Sequence, residues 1–174
     1  MELTEKEQKA REMLCLPLDD IETIAQLSLK LSNLSPVVGM FKIGKGTFTR
    51  FGPDSIKIVQ EYNSKVFLDL KYHDIPNTVK DVARAASELG VYMFNVHASG
   101  GLEMMKAAYI GAKEGAEKYG HKMPKVIGVS VLTSIDDNIL NNELKIPGTV
   151  KNRVLDLALL TYKAGLDGIV CAAL

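Results

Sequence analysis

Six short apolar runs alternate along this chain with segments of helical period. The predicted strands span residues 13–18, 37–43, 66–70, 91–96, 125–132 and 168–173. They are near-continuous apolar runs, which is typical of strands covered by helices on both faces. No hairpin signal separates them, so right-handed helical crossovers must join strands that run parallel. The sequence therefore predicts an α/β fold, and both a doubly wound sheet and a (β/α)8 barrel are open at this level.

The segments between the strands have apolar residues at helical spacing. The predicted helices span residues 21–34, 53–62, 79–89, 102–119 and 150–164. Asp20 is a candidate N-cap for the first of them, and Pro53 suits the first turn of the second. Gly90 and Gly120 stand where helices commonly end. The polar stretch 134–145 is predicted to be a connection.

Polar side chains gather where the predicted strands end. These residues are Asp19, Lys42, Asp69, Lys71, His97, Thr133 and Ser134. In a barrel the carboxyl ends of the strands converge on one mouth, where barrel enzymes place their chemistry. The gathering therefore favours the barrel. The two commonest nucleotide-binding loops, G-x-G-x-x-G after the first strand and G-x-x-x-x-G-K-[ST], are absent from the sequence.

Composition argues against several classes of protein. Twenty-one basic and 21 acidic residues give zero net charge, so a general nucleic-acid or membrane binder is not expected. No apolar run reaches the length of about 18 residues that a bilayer-spanning helix needs. The charged N-terminus lacks the apolar core of a signal peptide, and we expect a cytoplasmic protein. Cys15 and Cys171 lie in apolar runs, which predicts two buried thiols rather than a disulfide.

The densest chemical signal is the segment 67–78, FLDLKYHDIPNT. Strand alternation places Asp69 and Lys71 on the same face, and Asp74 stands just beyond the strand. Together with Lys42 they predict an array of alternating sign, in which each charge keeps its neighbour ionised. Such an array can stabilise a developing carbanion, and a lysine ammonium within it can deliver a proton.

The sequence leaves open what the three histidines do and whether a metal ion is bound. His97 follows an apolar strand, where a histidine caps the next helix or bridges two loops as readily as it catalyses. His73 and His121 are expected to be exposed or to support other site residues. No His, Asp and Glu cluster has metal-ligand spacing, although Asp69 and Asp74 could share a divalent ion.

Residues 67–78 resemble the signature D-x-K-x-x-D-I-P-N-T of the orotidine 5′-phosphate decarboxylase family. Five further segments resemble that family in its order: 18–19, 41–45, 95–101, 131–134 and 165–171. The resemblance implies a (β/α)8 barrel that converts orotidine 5′-monophosphate to uridine 5′-monophosphate, the last step of pyrimidine synthesis. It also implies that no metal or organic cofactor takes part, and that two subunits form a homodimer with shared active sites.

The resemblance implies catalytic roles for three residues. Lys71 would stabilise the C6 carbanion and protonate it, and Asp69 would lie against the departing carboxylate. Asp74, together with Thr78, would reach into the neighbouring subunit's site.

Substrate-binding roles follow from the same resemblance. Asp19 and Lys42 would bind ribose hydroxyls, and Ile75 belongs to the substrate-binding set. Thr133 or Ser134 would contact the pyrimidine.

Two alternatives remain. A sister enzyme of the same superfamily, a magnesium-dependent sugar-phosphate decarboxylase or aldolase, shares the Asp-x-Lys-x-x-Asp core, but the continuation 75–78 favours the orotidylate branch. A catalytically silent truncated fragment is the other. The sequence stops at a sixth strand where a barrel needs eight. We therefore expect residues 1–174 to be a single barrel domain that is incomplete at its C-terminus, as part of a longer chain.

Overall fold

The computed structural model of the chain describes residues 4–172. Its strands are β1 (Cys15–Pro17), β2 (Met40–Gly44), β3 (Lys65–Tyr72), β4 (Met93–His97), β5 (Lys125–Val129) and β6 (Gly168–Val170). Its α-helices are α1 (Glu5–Met13), α2 (Ile24–Leu34), α3 (Lys45–Phe51), α4 (Asp54–Glu61), α5 (Pro76–Glu88), α6 (Leu102–Tyr119) and α7 (Val150–Lys163). A 3₁₀ turn over Ala98–Gly100 follows β4, and a π-helical turn over Ile139–Glu143 lies between β5 and α7.

The strands form a six-stranded sheet in the order in which they occur along the chain, β1 to β6. The β1–β2, β2–β3 and β5–β6 pairs all run parallel. A doubly wound sheet reverses its strand order at a switch point, whereas barrel strands follow one another without reversal. The α/β class with six parallel strands is thus confirmed, and the strand order is that of a barrel.

The chain forms two compact units. The first runs through Leu70 and adds Leu89–Phe94, while the second contains Lys71–Glu88 and the chain from Asn95 onwards. In the first unit, Leu18, Phe41 and Leu68 are fully buried. These side chains come from β2, β3 and the segment after β1, so the core of this unit is built on its strands.

The second unit contains two helices, α5 and α6, that approach each other closely. Gly111 and Gly115 of α6 face the backbone of α5, so that a Cβ at Gly111 would lie 2.1 Å from the carbonyl oxygen of Lys80. The hydroxyl of Ser87 donates to the carbonyl of Ala112 at 2.9 Å. Only glycine permits this separation, because any side chain there would meet backbone atoms that cannot rotate away.

Ion pairs join the solvent side of the same two helices. Glu114 of α6 accepts from Lys80 at 2.7 Å and from Arg84 at 2.8 Å. These two hydrogen bonds hold the pKa of Glu114 below its ordinary value, and the bond from Lys80 has the larger effect. In residues 4–172 no helix is long and apolar enough to cross a membrane.

Several boundaries differ from the sequence predictions. Met13 belongs to α1, so β1 is shorter than predicted, and β5 ends at Val129 rather than at residue 132. The predicted sixth strand ends at Val170, and its predicted last residue, 173, lies outside the described residues. Helix α3 was not predicted.

Two local predictions were wrong. Thr23, not Asp20, caps α2, because its hydroxyl and the side chain of Gln26 form a reciprocal capping box that satisfies two helix-end donors. Asp20 instead has a φ of +57°. Cys15 and Cys171 are exposed rather than buried. They lie in or directly after β1 and β6, the first and last strands of the described sheet, where no further strand covers them.

We predict that Gly111→Ala lowers the free energy of unfolding by about 3 kcal/mol, since the added methyl group would overlap the Lys80 carbonyl. Gly46→Ala is the matched control, because a Cβ at Gly46 in α3 meets nothing within 4 Å. It should leave stability unchanged or raise it by about 0.5 kcal/mol. Urea unfolding of both variants makes the comparison, and equal midpoints would contradict the close approach of α5 and α6.

Candidate active site

In the first unit one lysine lies between two carboxylates. The Lys42 ammonium lies 3.3 Å from Asp19 Oδ1 and 3.2 Å from Asp69 Oδ2. The Asp69 side chain is only 10% exposed and that of Lys42 is 21% exposed, while Asp19 is open to solvent. Burial of a carboxylate is costly unless an opposite charge compensates for it, which Lys42 does here. Three residues of the predicted set are therefore brought together.

Strand register explains why these three groups meet. Parallel pairing sets Lys42 beside Pro17 of β1, and Gly44 beside Asp69 of β3. A Cβ at Gly44 would lie 3.1 Å from both Asp19 Oδ1 and the Lys42 ammonium. The absence of a side chain at this position leaves room for the ion pairs beside the strand.

Helix α3, which follows β2, anchors the loop that carries Asp19. The buried Thr47 hydroxyl donates to the Leu18 carbonyl at 2.6 Å, and the Arg50 guanidinium donates to the carbonyl of Ile21. The backbone N–H of Leu18 donates in turn to the Lys42 carbonyl at 2.9 Å. The carboxylate of Asp19 thus projects from a segment held on both sides.

In the second unit Lys71 has an unusual backbone. Its φ is +52°, in the left-handed region that L residues other than glycine, asparagine and aspartate rarely adopt. Its backbone N–H donates to Asn95 Oδ1 at 2.8 Å, and Asn95 is only 1% exposed. Side chains alternate between the two faces of a strand only where the backbone is extended. The left-handed φ of Lys71 interrupts this alternation, so the placement of Asp69 and Lys71 on one face stays a prediction.

The predicted residues after β3 lie on an exposed segment. Asp74 Oδ1 accepts the backbone N–H of Ile75 at 2.7 Å, and Ile75 is 67% exposed. Both residues line an open cavity of about 560 Å³ together with His73. Thr78 is exposed in the first turn of α5. This segment presents a carboxylate and an apolar side chain together on the surface of the second unit.

The histidines lie in the same unit. The rings of His73 and His97 are 5.2 Å apart between centroids, and both line a mainly apolar cavity of about 190 Å³ that Arg153 also borders. His97 precedes the 3₁₀ turn but makes no side-chain cap bond to it. The residue before α6 is Gly101, so His97 does not cap that helix either, and the bridging and catalytic alternatives stay untested.

Thr133 and Ser134 lie in an exposed turn beyond β5. Thr133 lines a cavity of about 370 Å³ together with Leu155 of α7 and Cys171. This is a different cavity from the one that Asp74 borders. Within residues 4–172 no group of three or more His, Cys, Asp or Glu side chains is arranged to hold a metal ion.

Sequence reasoning did not identify Gly44, Thr47 or Asn95. Asn95 was visible as a single polar residue inside an otherwise apolar strand, and such a residue needs a hydrogen-bond partner. That signal shows that a partner exists but not which one. Gly44 lies in the family-like segment 41–45, but nothing in the sequence indicated a role for it or for Thr47, because both roles depend on the register of β2 and on the unpredicted α3.

Comparison with known proteins identifies close relatives. The family described as "Orotidine 5'-phosphate decarboxylase / HUMPS family" matches residues 12–174. Orotidine 5'-phosphate decarboxylase of Moorella thermoacetica is 44% identical over 153 residues, which cover 88% of this chain and 61% of the relative. That of Syntrophus aciditrophicus is 50% identical, over 78% of this chain and 54% of the relative. The chain thus spans less than two thirds of the length of these curated relatives.

A solved structure shares the fold. The crystal structure of orotidine 5'-phosphate decarboxylase from Lactobacillus acidophilus superposes with a TM-score of 0.83 at 39% identity. The superposition covers 91% of this chain and 70% of that one. The agreement between the two folds therefore extends over nearly all of this chain.

We predict that Lys42→Met destabilises the protein by about 2 kcal/mol at neutral pH, because the nearly buried Asp69 loses one of its cations. Lys57→Met is the matched control, since both side chains of the Lys57–Asp54 ion pair are exposed to solvent. Its effect should stay within about 0.5 kcal/mol. Denaturant unfolding measures both, and equal losses would contradict the compensating role of Lys42.

Proposed function

Because the chain belongs to the orotidine 5'-phosphate decarboxylase / HUMPS family, we propose that it decarboxylates orotidine 5′-monophosphate to uridine 5′-monophosphate. The observation that carries the proposal is the ion-pair chain Asp19–Lys42–Asp69, with Lys71 two residues further along the same strand. Both curated relatives described above are orotidine 5'-phosphate decarboxylases, which favours this substrate over a sugar phosphate.

The proposed reaction places a full negative charge on one carbon atom. The bond from C6 to the carboxylate breaks, CO2 leaves, and the electron pair remains on C6. That lone pair has no adjacent π system into which it can delocalise. Stabilisation must therefore come from charges that the protein holds in place. A positioned ammonium supplies this stabilisation and also the proton that C6 finally takes up.

We assign the groups as follows. Lys71 faces C6, transfers its proton there and is reprotonated from solvent after the product has left. Asp69 lies against the departing carboxylate and keeps Lys71 ionised. Asp19 and Lys42 bind the ribose hydroxyls.

The remaining assignments concern the base and the second subunit. Ile75 contacts the substrate, and Thr133 or Ser134 hydrogen-bonds the pyrimidine. Asp74 and Thr78 complete the site of a partner copy in a homodimer. The exposure of Asp74, Ile75 and Thr78 supports this, because a carboxylate and an apolar side chain presented together suit an isologous contact.

We extend the proposal to the setting of the protein. Its partner is a small nucleotide rather than a nucleic acid or a membrane, which fits its zero net charge. It acts as a single barrel domain in the cytoplasm. The free thiols of Cys15 and Cys171 fit this location, because the cytosol keeps thiols reduced. The assigned groups are side chains alone, so the reaction as proposed requires no cofactor and no metal.

We predict that Lys71→Ala lowers kcat for orotidine 5′-monophosphate by about 10⁴-fold or more, because it removes both the stabilising charge and the proton donor. Lys65→Ala is the matched control, since Lys65 begins the same strand and its ammonium lies over the Tyr92 ring at 4.8 Å. Its kcat should stay within about threefold of the parent value, as expected away from the reacting atoms. The rate at which each variant forms uridine 5′-monophosphate is measured spectrophotometrically.

Other outcomes of the same assay are equally informative. Turnover that persists in Lys71→Ala would remove Lys71 from the proton-donor role. Turnover that a chelator abolishes and magnesium restores would favour the sister sugar-phosphate enzymes. A parent chain that folds but forms no product would support the silent-fragment alternative.

We predict that Asp74→Asn and Lys71→Ala, each inactive alone, recover activity when their subunits are mixed. In a heterodimer with shared sites, one site receives both defects and the other receives neither. Random pairing of equal amounts should give about a quarter of the parent activity. Heterodimers are confirmed by native mass spectrometry with one subunit tagged, and no recovery in confirmed heterodimers would contradict a shared site.

A further inference from the structure

We propose that Asn95 is a positioning residue that holds the backbone of Lys71 in the conformation that its ammonium requires. The inference rests on the proposed function, because Lys71 is the proton donor only in the proposed decarboxylation. It assigns to a residue of β4 a task that no charge pattern in the sequence indicates.

The first step concerns the backbone of Lys71 itself. A φ of +52° is unfavourable for lysine, because its Cβ crowds the following carbonyl oxygen. A residue held in that region persists only where its surroundings fix it, and such residues cluster at functional sites. Lys71 is the second-last residue of β3, so the strand leaves regular geometry at this residue.

The second step concerns the bond that fixes it. The Lys71 N–H donates to the side-chain carbonyl of Asn95, with N and Oδ1 2.8 Å apart. Asn95 is 1% exposed, so water does not compete for that oxygen. A buried side-chain amide is costly unless it is paired, which means that Asn95 and the Lys71 N–H each stabilise the other in place.

The third step connects the backbone to the chemistry. Lysine carries its charge on a flexible four-carbon stem, so the position of the ammonium depends on where the stem begins. A different φ at Lys71 redirects the Cα–Cβ bond and moves the ammonium away from its place. Misplacement of a reacting group by about 1 Å can cost a factor of 100 in rate.

The test compares two substitutions at one position. Asn95→Leu keeps the approximate shape and removes the acceptor, whereas Asn95→Asp keeps an acceptor oxygen. We expect Asn95→Leu to lower kcat by about 100-fold with KM within about threefold, since the loss falls on the chemical step. Asn95→Asp should retain kcat within about tenfold of the parent because the hydrogen bond is rescued.

A matched control separates positioning from stability. Thr161→Val removes a different buried hydrogen-bonding group of the same unit, the Thr161 hydroxyl, which donates to the Leu157 carbonyl at 2.7 Å. It should lower the melting temperature without lowering kcat. A kcat loss in Thr161→Val equal to that in Asn95→Leu would overturn the proposal, as would full activity of Asn95→Leu. If Asn95→Leu does not fold, Asn95→Ala replaces it, because alanine also lacks the acceptor.

A second readout does not depend on turnover. The Lys71 amide proton should exchange with solvent at least about tenfold faster in Asn95→Leu than in the parent, measured by NMR, and Asn95→Asp should keep its protection. Unchanged protection in Asn95→Leu would overturn the proposal. If the parent protein does not decarboxylate the nucleotide, the proposed function fails, while the exchange measurement still decides whether Asn95 holds the Lys71 backbone.

Discussion

The ion pair between Lys42 and Asp69 is the interaction on which the rest of the candidate site depends. A carboxylate that is 10% exposed requires a cation within contact distance, and Lys42 supplies it at 3.2 Å. The parallel register of β2 and β3 sets this distance, and the missing side chain of Gly44 keeps the space open. Because the same ammonium also contacts Asp19, one cation orders groups from three segments of the chain. The strand register that builds the sheet therefore also sets the positions of these three charges.

A second constraint is backbone strain at Lys71. Regular strand geometry would give this residue an extended φ, yet it is +52°. The unfavourable conformation is offset locally by a hydrogen bond to the buried Asn95. Strand β3 thus carries two different groups, since Asp69 lies beside Gly44 of β2 and Lys71 follows two residues later with a left-handed φ.

Much of the fold could be predicted from the sequence, because the patterns involved are local. Helix α6 was predicted with its observed bounds, since its apolar period is long and a glycine ends it. Helix α3 is only seven residues long and contains Gly46, so neither propensity nor periodicity indicates it. The approach of Lys42 to Asp69 was predicted from charge and strand position alone, whereas the ion pair of Lys42 with Asp19 was not. The Lys71–Asn95 bond was not, because a left-handed residue inside a strand is a tertiary effect without a sequence pattern.

The proposed reaction explains why such a site is made of fixed charges on strands. A localised carbanion is stabilised only by charges already in place, because any reorientation during the reaction uses up the stabilisation gained. Groups on strands are held more accurately than groups on loops, and hydrogen bonds behind them reduce their freedom further. Asp69 meets this requirement through its pairing with Lys42, and Lys71 through the anchored backbone at the root of its long side chain. The strained backbone of Lys71 and the nearly buried carboxylate of Asp69 are each costly to the fold, and the proposed reaction gives both a reason to be retained.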